Sequence, residues 1–346
     1  MNSKAFLLPA ALMIAGNSVA NSKGKKTDKR PNILVILADD LGYSDLGCYG
    51  SEIHTPNLDK LAQQGVRFNH FYNASRSCPT RASLLTGLYQ HQAGIGRMTF
   101  DDNLPGYRGT LSRNAVTIAE VLKESGYTTS MIGKWHVAET PLRKDQREWL
   151  AHHVYHDTDS DLCHYPVNRG FDSHYGTIYG VVDYFDPFSL VEGEVPVKEV
   201  PEGYYITQAL SDRAAEEVTE YAKDDKPFFM YLAYTAPHWP LHALPEDIEK
   251  YKDTYKVGWE AIRNARYERQ KQLGIFPGMD DFLSERQFKD RWEDNAHAEW
   301  DARAMAVHAA MIDRMDQGIG QVIDALEKTG QLDNTLILFL SDNGCS

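Results

Sequence analysis

Apolar runs of strand length alternate along the chain with segments that have the periodicity of amphipathic helices. The apolar runs predict strands at 32–38, 66–72, 128–132, 228–234 and 335–340. Between them, helices are predicted from Pro56 to just before Gly65 and at 115–125, 206–222 and 300–328. This alternation predicts an α/β fold with a large, mostly parallel sheet sandwiched between helices. Ligands of such sheets collect at the carboxyl ends of strands, so the residues after each strand are the first candidates for a functional site.

The N-terminus has the pattern of a secretory signal. Lys4 precedes an apolar run at 5–16, and Ser18-Val19-Ala20 supplies small residues before a polar, basic stretch at 21–30. The run is too short to span a bilayer, and charge at both ends disfavours the alternative of a buried N-terminal helix. We therefore predict a signal peptide at 1–20, a basic linker at 21–30, and a secreted or periplasmic protein without a membrane span.

Length and charge narrow the classes of function. A chain of 346 residues suits one large α/β domain, with or without a small appendage. The formal net charge of -13 argues against a surface that binds nucleic acid. An anionic substrate would therefore need locally placed positive charge. The four cysteines show neither CxxC pairs nor metal-ligand spacing, and a disulfide cannot be assigned among Cys48, Cys78, Cys163 and Cys345.

The stretch 143–189 is polar and aromatic, and its histidines lack the regular spacing of metal ligands. We interpret it as a surface lid or a substrate-facing loop, in preference to a second metal site. These histidines include His152, His153, His156 and His164.

Acidic residues follow the first and the last predicted strand. Asp39-Asp40 comes after the strand at 32–38, and Asp342-Asn343 comes after the strand at 335–340. Adjacent aspartates alone are more often an Asx turn. Two buried strands that end in carboxylates can, however, converge on one cation, and oxygen-only ligands suit calcium or magnesium.

The segment SCPTR at 77–81, with Thr-Gly five residues further on, predicts a helix start that could hold an anion, although a Ser near Pro and Arg is by itself most often an ordinary helix cap. Pro79 suits a first helical turn, and Arg81, one turn on from Ser77, offers a fork of donors. The segment resembles the sulfatase signature, in which Cys or Ser is followed by Pro at the third place, Arg at the fifth and Thr-Gly beyond. The resemblance makes Ser77 the modified residue and puts Cys78 at the free position.

Two further segments resemble sulfatase motifs. GKWH at 133–136 is similar to a box whose Lys and His contact the nucleophile, and Lys134 and His136 would point the same way in an extended segment. APHWP at 236–240 is similar to the APHxP segment, whose His contacts the sulfate and the leaving-group oxygen. His238 is therefore the candidate general acid, and His242 is interpreted as a loop histidine.

A resemblance to the formylglycine-dependent sulfatases of the alkaline phosphatase superfamily implies a mechanism. Ser77 would be oxidised to formylglycine, whose hydrated gem-diol attacks sulfur with one oxygen and expels sulfate with the other. Arg81 and Lys134 would add positive charge, His136 would orient or deprotonate the diol, and His238 would protonate the leaving alcohol. The cation, Ca²⁺ or Mg²⁺, would lower the pKa of the diol. Its predicted ligands are Asp39, Asp40, Ser77, Asp342 and Asn343.

The resemblance also suggests partners and leaves alternatives open. Serine at the modified position resembles the bacterial type that a radical S-adenosylmethionine maturase oxidises. The segment 258–274 resembles arylsulfatase-like members, although sulfated glycans are equally compatible substrates. The alternatives are a phosphomonoesterase or phosphonate hydrolase of the same superfamily, and an inactive anion-binding fragment.

The resemblance covers 31–346, which corresponds to the N-terminal portion of the family's catalytic domain. Sulfatases of this type usually continue into another active-site lysine and a small C-terminal subdomain with its own antiparallel sheet. We therefore expect this chain to lack that subdomain, to expose sheet edge and apolar surface, and to show low or no activity by itself.

Overall fold

A computed structural model describes residues 30–139, 162–277, 283–284 and 291–345. The predicted signal peptide at 1–20 and the predicted linker apart from Arg30 lie outside the described residues, as do His152, His153 and His156. Within the described ranges, no helix is both long enough and apolar enough to cross a membrane.

Seven strands form one mixed, mostly parallel sheet. In chain order they are β1 (Asn32–Asp39), β2 (Thr128–Gly133), β3 (Ser173–Thr177), β4 (Leu190–Glu192), β5 (Val195–Pro196), β6 (Phe228–Pro237) and β7 (Thr335–Ser341). Their order across the sheet is β5-β4-β3-β2-β6-β1-β7. β3, β2, β6, β1 and β7 are parallel, whereas β4 pairs antiparallel with β3 and β5. β6 is the middle one of the five parallel strands, and its ten residues are all buried.

Helices flank the sheet. In chain order they are α1 (Pro56–Gln64), α2 (Ser77–Thr86), α3 (Ile118–Glu124), α4 (Ile206–Tyr221), α5 (Pro245–Glu249), α6 (Trp259–Gln272) and α7 (Ala298–Lys328). α7 packs along α4 and also contacts α1 and β6. α3 begins with a capping box, in which the Thr117 side chain accepts from the Glu120 N–H and the Glu120 carboxylate accepts from the Thr117 N–H.

Most of the predicted elements are confirmed. The strands at 32–38, 128–132 and 228–234 correspond to β1, β2 and β6, and the predicted helices correspond to α1, α3, α4 and α7, with ends moved by three residues at most. The expectation that the last strand is buried is wrong. Among the strands that the structure describes, β7 pairs with β1 alone, and its Leu336 and Leu338 are 49% and 44% exposed.

The prediction of a strand at 66–72 is wrong. The segment has no regular secondary structure, and Val66 and Tyr72 are 80% and 86% exposed. A strand needs a neighbour that accepts and donates its backbone hydrogen bonds. Because no described strand lies beside this segment, its β-branched and aromatic residues have no sheet to join.

The interpretation of 143–189 as a lid is wrong for the part that forms β3, which lies inside the sheet beside β2. Its sequence, SHYGT, has no apolar run, so its burial comes from its neighbours and not from its own composition. Of the four histidines named for this stretch, the structure describes His164, which accepts a 2.8 Å hydrogen bond from the Trp135 indole through its backbone carbonyl.

Candidate active site

Parallel strands that end at one edge of the sheet bring the predicted site residues together. β1 ends at Asp39, and Asp342, Lys134 and His238 directly follow β7, β2 and β6. β1 lies between β6 and β7, and β2 borders β6, so these four residues converge at neighbouring strand ends. Ser77 reaches the same place from the first turn of α2.

Three carboxylates form a buried cluster at this edge. Asp39 and Asp342 are fully buried and Asp40 is 7% exposed, and each offers an oxygen within 4.8 Å of the others. The Asp40 N–H donates to Asp342 Oδ1 at 3.2 Å, and the Asn343 amide donates to Asp40 Oδ1. Acidic residues far apart in the sequence therefore meet, and this oxygen donor set fits calcium or magnesium.

Arg81 and Lys134 place two buried positive charges against the carboxylates. Arg81 Nη2 lies 2.8 Å from Asp342 Oδ2 and 3.3 Å from Asp39 Oδ1, and Lys134 contacts Asp39 Oδ2. Burial raises the pKa of Asp39 well above its usual range, and Asp342 raises it further although Lys134 opposes the shift. Burial also acts to raise the pKa of Asp342, but Arg81 and Lys134 hold it below its usual range. The two cationic side chains thus pair with Asp39 and Asp342, and Asp40 is a third carboxylate beside them.

Ser77 begins α2 with its hydroxyl inside this cluster. Its Oγ accepts a 3.0 Å hydrogen bond from Arg81 Nε and lies 3.2 Å from His136 Nδ1. Burial lowers the pKa of His136 well below its usual value, and Lys134 and Arg81 lower it further, so a neutral imidazole faces Ser77. Such a ring can accept a proton from a hydroxyl. The neighbouring Cys78 is buried, which raises its pKa to about 12 and leaves it an unreactive thiol.

Lys134 and His136 enter the same cluster, but not because the segment is extended. His136 has a φ of 56°, so the expectation of an extended segment is wrong. Backbone carbonyls of Thr177 and Ile178 accept from the N–H groups of Trp135 and His136 at 2.8 and 3.1 Å. This turn, held against the end of β3, brings both side chains into the site.

His238 lies on the Asp40 side of the site. Its Nε2 is 3.5 Å from Asp40 Oδ2, and its Nδ1 is 2.5 Å from the backbone oxygen of Trp239. Burial lowers the pKa of His238 below its usual value. His242 lies outside this cluster and is directed at Asp183, whose Oδ2 is 3.5 Å from its Nδ1.

Sequence patterns miss two residues that shape the site. A Cβ on Gly180 would lie 2.2–2.6 Å from three atoms of the His136 ring, so only glycine leaves room for the ring in this position. The Tyr184 hydroxyl lies 2.7 Å from the Thr235 carbonyl and 2.8 Å from the His238 carbonyl, where it supports the turn that carries His238. Both fall in the stretch interpreted as a lid, where a single glycine or tyrosine gives no signal.

Residues 31–346 match the family model of the sulfatases. The chain belongs to the sulfatase family. An uncharacterized sulfatase of Schizosaccharomyces pombe is 35% identical over 342 residues, covering 91% of this chain and 58% of that protein. An arylsulfatase of Klebsiella aerogenes is 34% identical over 353 residues, covering 100% of this chain and 72% of that protein.

A solved structure is also similar to this sulfatase. Ps i-CgsB, determined in complex with k-i-k-neocarrahexaose, is 32% identical with a TM-score of 0.63, and the match covers 92% of this chain and 59% of that one. The predicted fold of an alkaline phosphatase superfamily sulfatase is thereby confirmed. The sulfatase chain described here spans 58% and 72% of the length of the two curated relatives.

Proposed function

We propose that the protein hydrolyses sulfate monoesters. The observation that carries this proposal is the position of Ser77 Oγ, which lies 3.0 Å from Arg81 Nε at the start of α2 and beside the carboxylate cluster. A sulfate group here would meet the guanidinium of Arg81, the ammonium of Lys134 and the N-H groups of a helix start, all of which favour an anion. Membership of the sulfatase family supports sulfur as the atom that is attacked.

A divalent cation, calcium or magnesium, is part of this proposal. Three carboxylates and two cationic side chains leave no surplus of positive charge to receive an anionic ester. Asp39, Asp40, Asp342 and Asn343 would hold the ion, with the modified side chain of residue 77 as a further ligand. When bound, the ion would supply Lewis acidity toward the sulfate and lower the pKa of the attacking hydroxyl.

Ser77 is the proposed precursor of the nucleophile, because a plain serine hydroxyl is weak at its ordinary pKa. Oxidation of its CH₂OH group by a radical maturase would remove two hydrogen atoms and give formylglycine, and addition of water would give two hydroxyls on one carbon. One hydroxyl attacks sulfur and displaces the alcohol of the ester, whose oxygen takes up a proton. The other hydroxyl then loses its proton, so that the carbonyl forms again and sulfate leaves. His136 Nδ1, 3.2 Å from Ser77 Oγ, is placed to take the proton of the attacking hydroxyl.

Gly180→Ala is expected to lower turnover of a sulfate ester by about 10–100-fold, because a shift of about 1 Å in a catalytic group can cost this much. The added Cβ would displace the His136 ring from Ser77. Overpacking should also reduce the free energy of unfolding by about 1–3 kcal/mol. Steady-state kinetics and thermal unfolding measure the two effects.

Gly203→Ala is the matched control for Gly180→Ala. Gly203 has a φ of 78° but no atom within 4 Å of an added Cβ, so its replacement strains the backbone without touching the site. It should reduce stability and leave turnover unchanged. An equal loss of turnover in both variants would show that Gly180 acts through stability alone.

His238→Asn is expected to slow an alkyl sulfate by about 10²–10⁴-fold, which is the usual contribution of a general acid. Nitrophenyl sulfate should be affected much less, because nitrophenolate leaves without a proton. The kcat values of the two substrates measure the difference. His242→Asn is the control, since His242 lies against Asp183 outside the cluster. An equal loss of kcat with the alkyl sulfate and with nitrophenyl sulfate in His238→Asn would indicate that His238 only helps to bind the substrate.

Aryl sulfates and sulfated glycans are the proposed substrate classes. Similarity to the Klebsiella aerogenes arylsulfatase supports the first, and similarity to Ps i-CgsB in its oligosaccharide complex supports a carbohydrate. Trp239 is 56% exposed, with its ring centroid 5.2 Å from that of His238, and so offers a flat apolar face to either kind of ring. The signal-like N-terminus supports export to the periplasm or beyond, where such esters would be met.

Sulfate and phosphate esters of one phenol test the proposed function. The chain is produced with a radical maturase, both as it stands and extended with the C-terminal subdomain of a relative, because it spans 58% of the length of one sulfatase. We expect hydrolysis of the sulfate ester in the extended version, its loss on chelation and its return with Ca²⁺. Faster hydrolysis of the phosphate ester would indicate a phosphomonoesterase. Anion binding without turnover in both versions would indicate an anion-binding protein.

A further inference from the structure

A second group of metal-ligating side chains lies apart from the carboxylate cluster. Asp45, His308 and Cys345 each offer a ligand atom, and these atoms lie within 4.8 Å of one another. They line a cavity of about 290 Å³ that is open to solvent and is walled in part by Trp259 and Met305. An incoming ion would therefore have both donors and a path to them.

The Asp45 carboxylate is fixed by its neighbours. Its Oδ2 accepts a 2.9 Å hydrogen bond from the Gly42 N–H, and its Oδ1 contacts the guanidinium of Arg266 on α6. Arg266 is in turn bound by Glu52, through Nη2–Oε1 and Nε–Oε2 distances of 2.7 and 2.8 Å, which offset its charge. Partners of this kind orient a metal ligand, and here they hold Oδ2 toward the cavity.

His308 on α7 faces this carboxylate. Its side chain is 19% exposed, and its Nε2 lies 3.7 Å from Asp45 Oδ2, which is longer than a hydrogen bond. Nitrogen and oxygen ligands of one tetrahedral zinc ion are separated by about 3.4 Å when the metal bonds are near 2.0–2.1 Å. Burial lowers the pKa of His308, so the ring is in the neutral form that binds metals.

Cys345 completes the group from the end of the sheet. It follows Asp342, Asn343 and Gly344, and a Cβ on Gly42 would lie 3.2 Å from the Cys345 Cβ and 2.5 Å from Asp45 Oδ2. The thiol and the carboxylate therefore approach the same point. Cys345 is exposed, so an ion that enters from solvent can reach its sulfur, and a bound metal ion is the kind of charge that would stabilise its thiolate.

We propose that Asp45, His308 and Cys345 form a second metal site, for a thiophilic divalent ion such as zinc. A sulfur, nitrogen and oxygen donor set selects zinc or cobalt over calcium, whereas the oxygen cluster at Asp39, Asp40 and Asp342 has the opposite preference. Cys345 lies three residues beyond Asp342 in the chain. An ion bound by Cys345 would therefore hold in place the segment that carries Asp342 and Asn343. The proposal does not depend on sulfate ester hydrolysis.

Cobalt titration tests this site directly. The reduced protein is kept in excess Ca²⁺, which occupies the oxygen cluster, and is titrated with Co²⁺ while the near-ultraviolet charge-transfer band of a cobalt–thiolate bond is recorded. We expect a band that saturates at one ion per chain and disappears when Zn²⁺ displaces the cobalt. Cys345→Ser should remove the band, and His308→Gln should weaken Co²⁺ binding by about 10-fold or more.

Cys48→Ser is the matched control, because Cys48 is a half-buried thiol outside the group. It should keep the band and the affinity of the parent. Thermal unfolding without added metal checks that each variant is folded, and Zn²⁺ should raise the midpoint of the parent but not of Cys345→Ser. Absence of the band in the parent, or its retention in Cys345→Ser, would overturn the proposal.

Discussion

Ser77→Ala is expected to lower kcat for an aryl sulfate by about 10⁴–10⁶-fold, the range seen when an enzyme loses its nucleophile. Alanine offers no oxygen to attack sulfur and no carbon that a maturase can oxidise to an aldehyde. The hydroxyl that is lost contacts Arg81 and His136, which are themselves groups of the proposed site. The fold should therefore persist, and steady-state kinetics on the matured protein measures the loss.

Ser83→Ala provides the comparison on the same helix. Ser83 lies in α2, half-buried, two residues beyond Arg81, and has no part in the cluster of charges. We expect turnover near that of the parent. A Ser77→Ala enzyme whose kcat stays within about tenfold of the parent would show that the attacking oxygen comes from elsewhere.

Arg81→Ala is expected to reduce the free energy of unfolding by about 3–5 kcal/mol, because it removes one partner of a buried group of charges. Arg81 is fully buried and binds Asp342 at 2.8 Å and Asp39 at 3.3 Å. Without it, both carboxylates must remain buried with less compensation or take up protons. Urea unfolding in the presence of a chelator measures this loss.

Arg213→Ala is the corresponding change at a more exposed ion pair. Arg213 is 30% exposed and pairs with Glu217 at 3.1 Å, so solvent screening limits its expected contribution to about 1 kcal/mol or less. Ca²⁺ should restore part of the stability of Arg81→Ala, since it compensates the same carboxylates. Equal destabilisation by the two variants, or no response to Ca²⁺, would contradict the proposed charge balance.

The parallel strands β1 and β6 could be predicted because they have a strong local signal. β1 and β6 are continuous apolar runs, and burial on both faces needs no alternation. The end of β1 then locates Asp39 without knowledge of the remaining fold, whereas His238, which lies beyond the predicted strand at 228–234, was predicted from a motif. Ser77 and Arg81 were predicted from a motif, and the helical turn between them accounts for their contact.

Elements that depend on their neighbours could not be predicted in this way. Within the described ranges, the sequence at 66–72 has the composition of a strand but no partner strand. β7 has apolar residues on both faces, although among the described strands it pairs with β1 alone. SHYGT at 173–177 has the reverse property, since it forms β3 only because β2 is beside it. Gly180 affects the site through the space that it leaves for His136, which no local pattern encodes.

Trypsin should release residues 77–81 as one peptide, because it cleaves after Arg76, which precedes the peptide, and after Arg81, which is its last residue. The mass of this peptide tests the assignment of Ser77 most directly. It is measured for protein made with and without a radical maturase, and it is compared with the turnover of an aryl sulfate by each preparation. We predict that the peptide from the active preparation is lighter than the unmodified peptide by the mass of two hydrogen atoms. Turnover should rise in proportion to the fraction of protein that has this lighter peptide. Full turnover from protein whose peptide contains only unmodified serine would contradict the assignment.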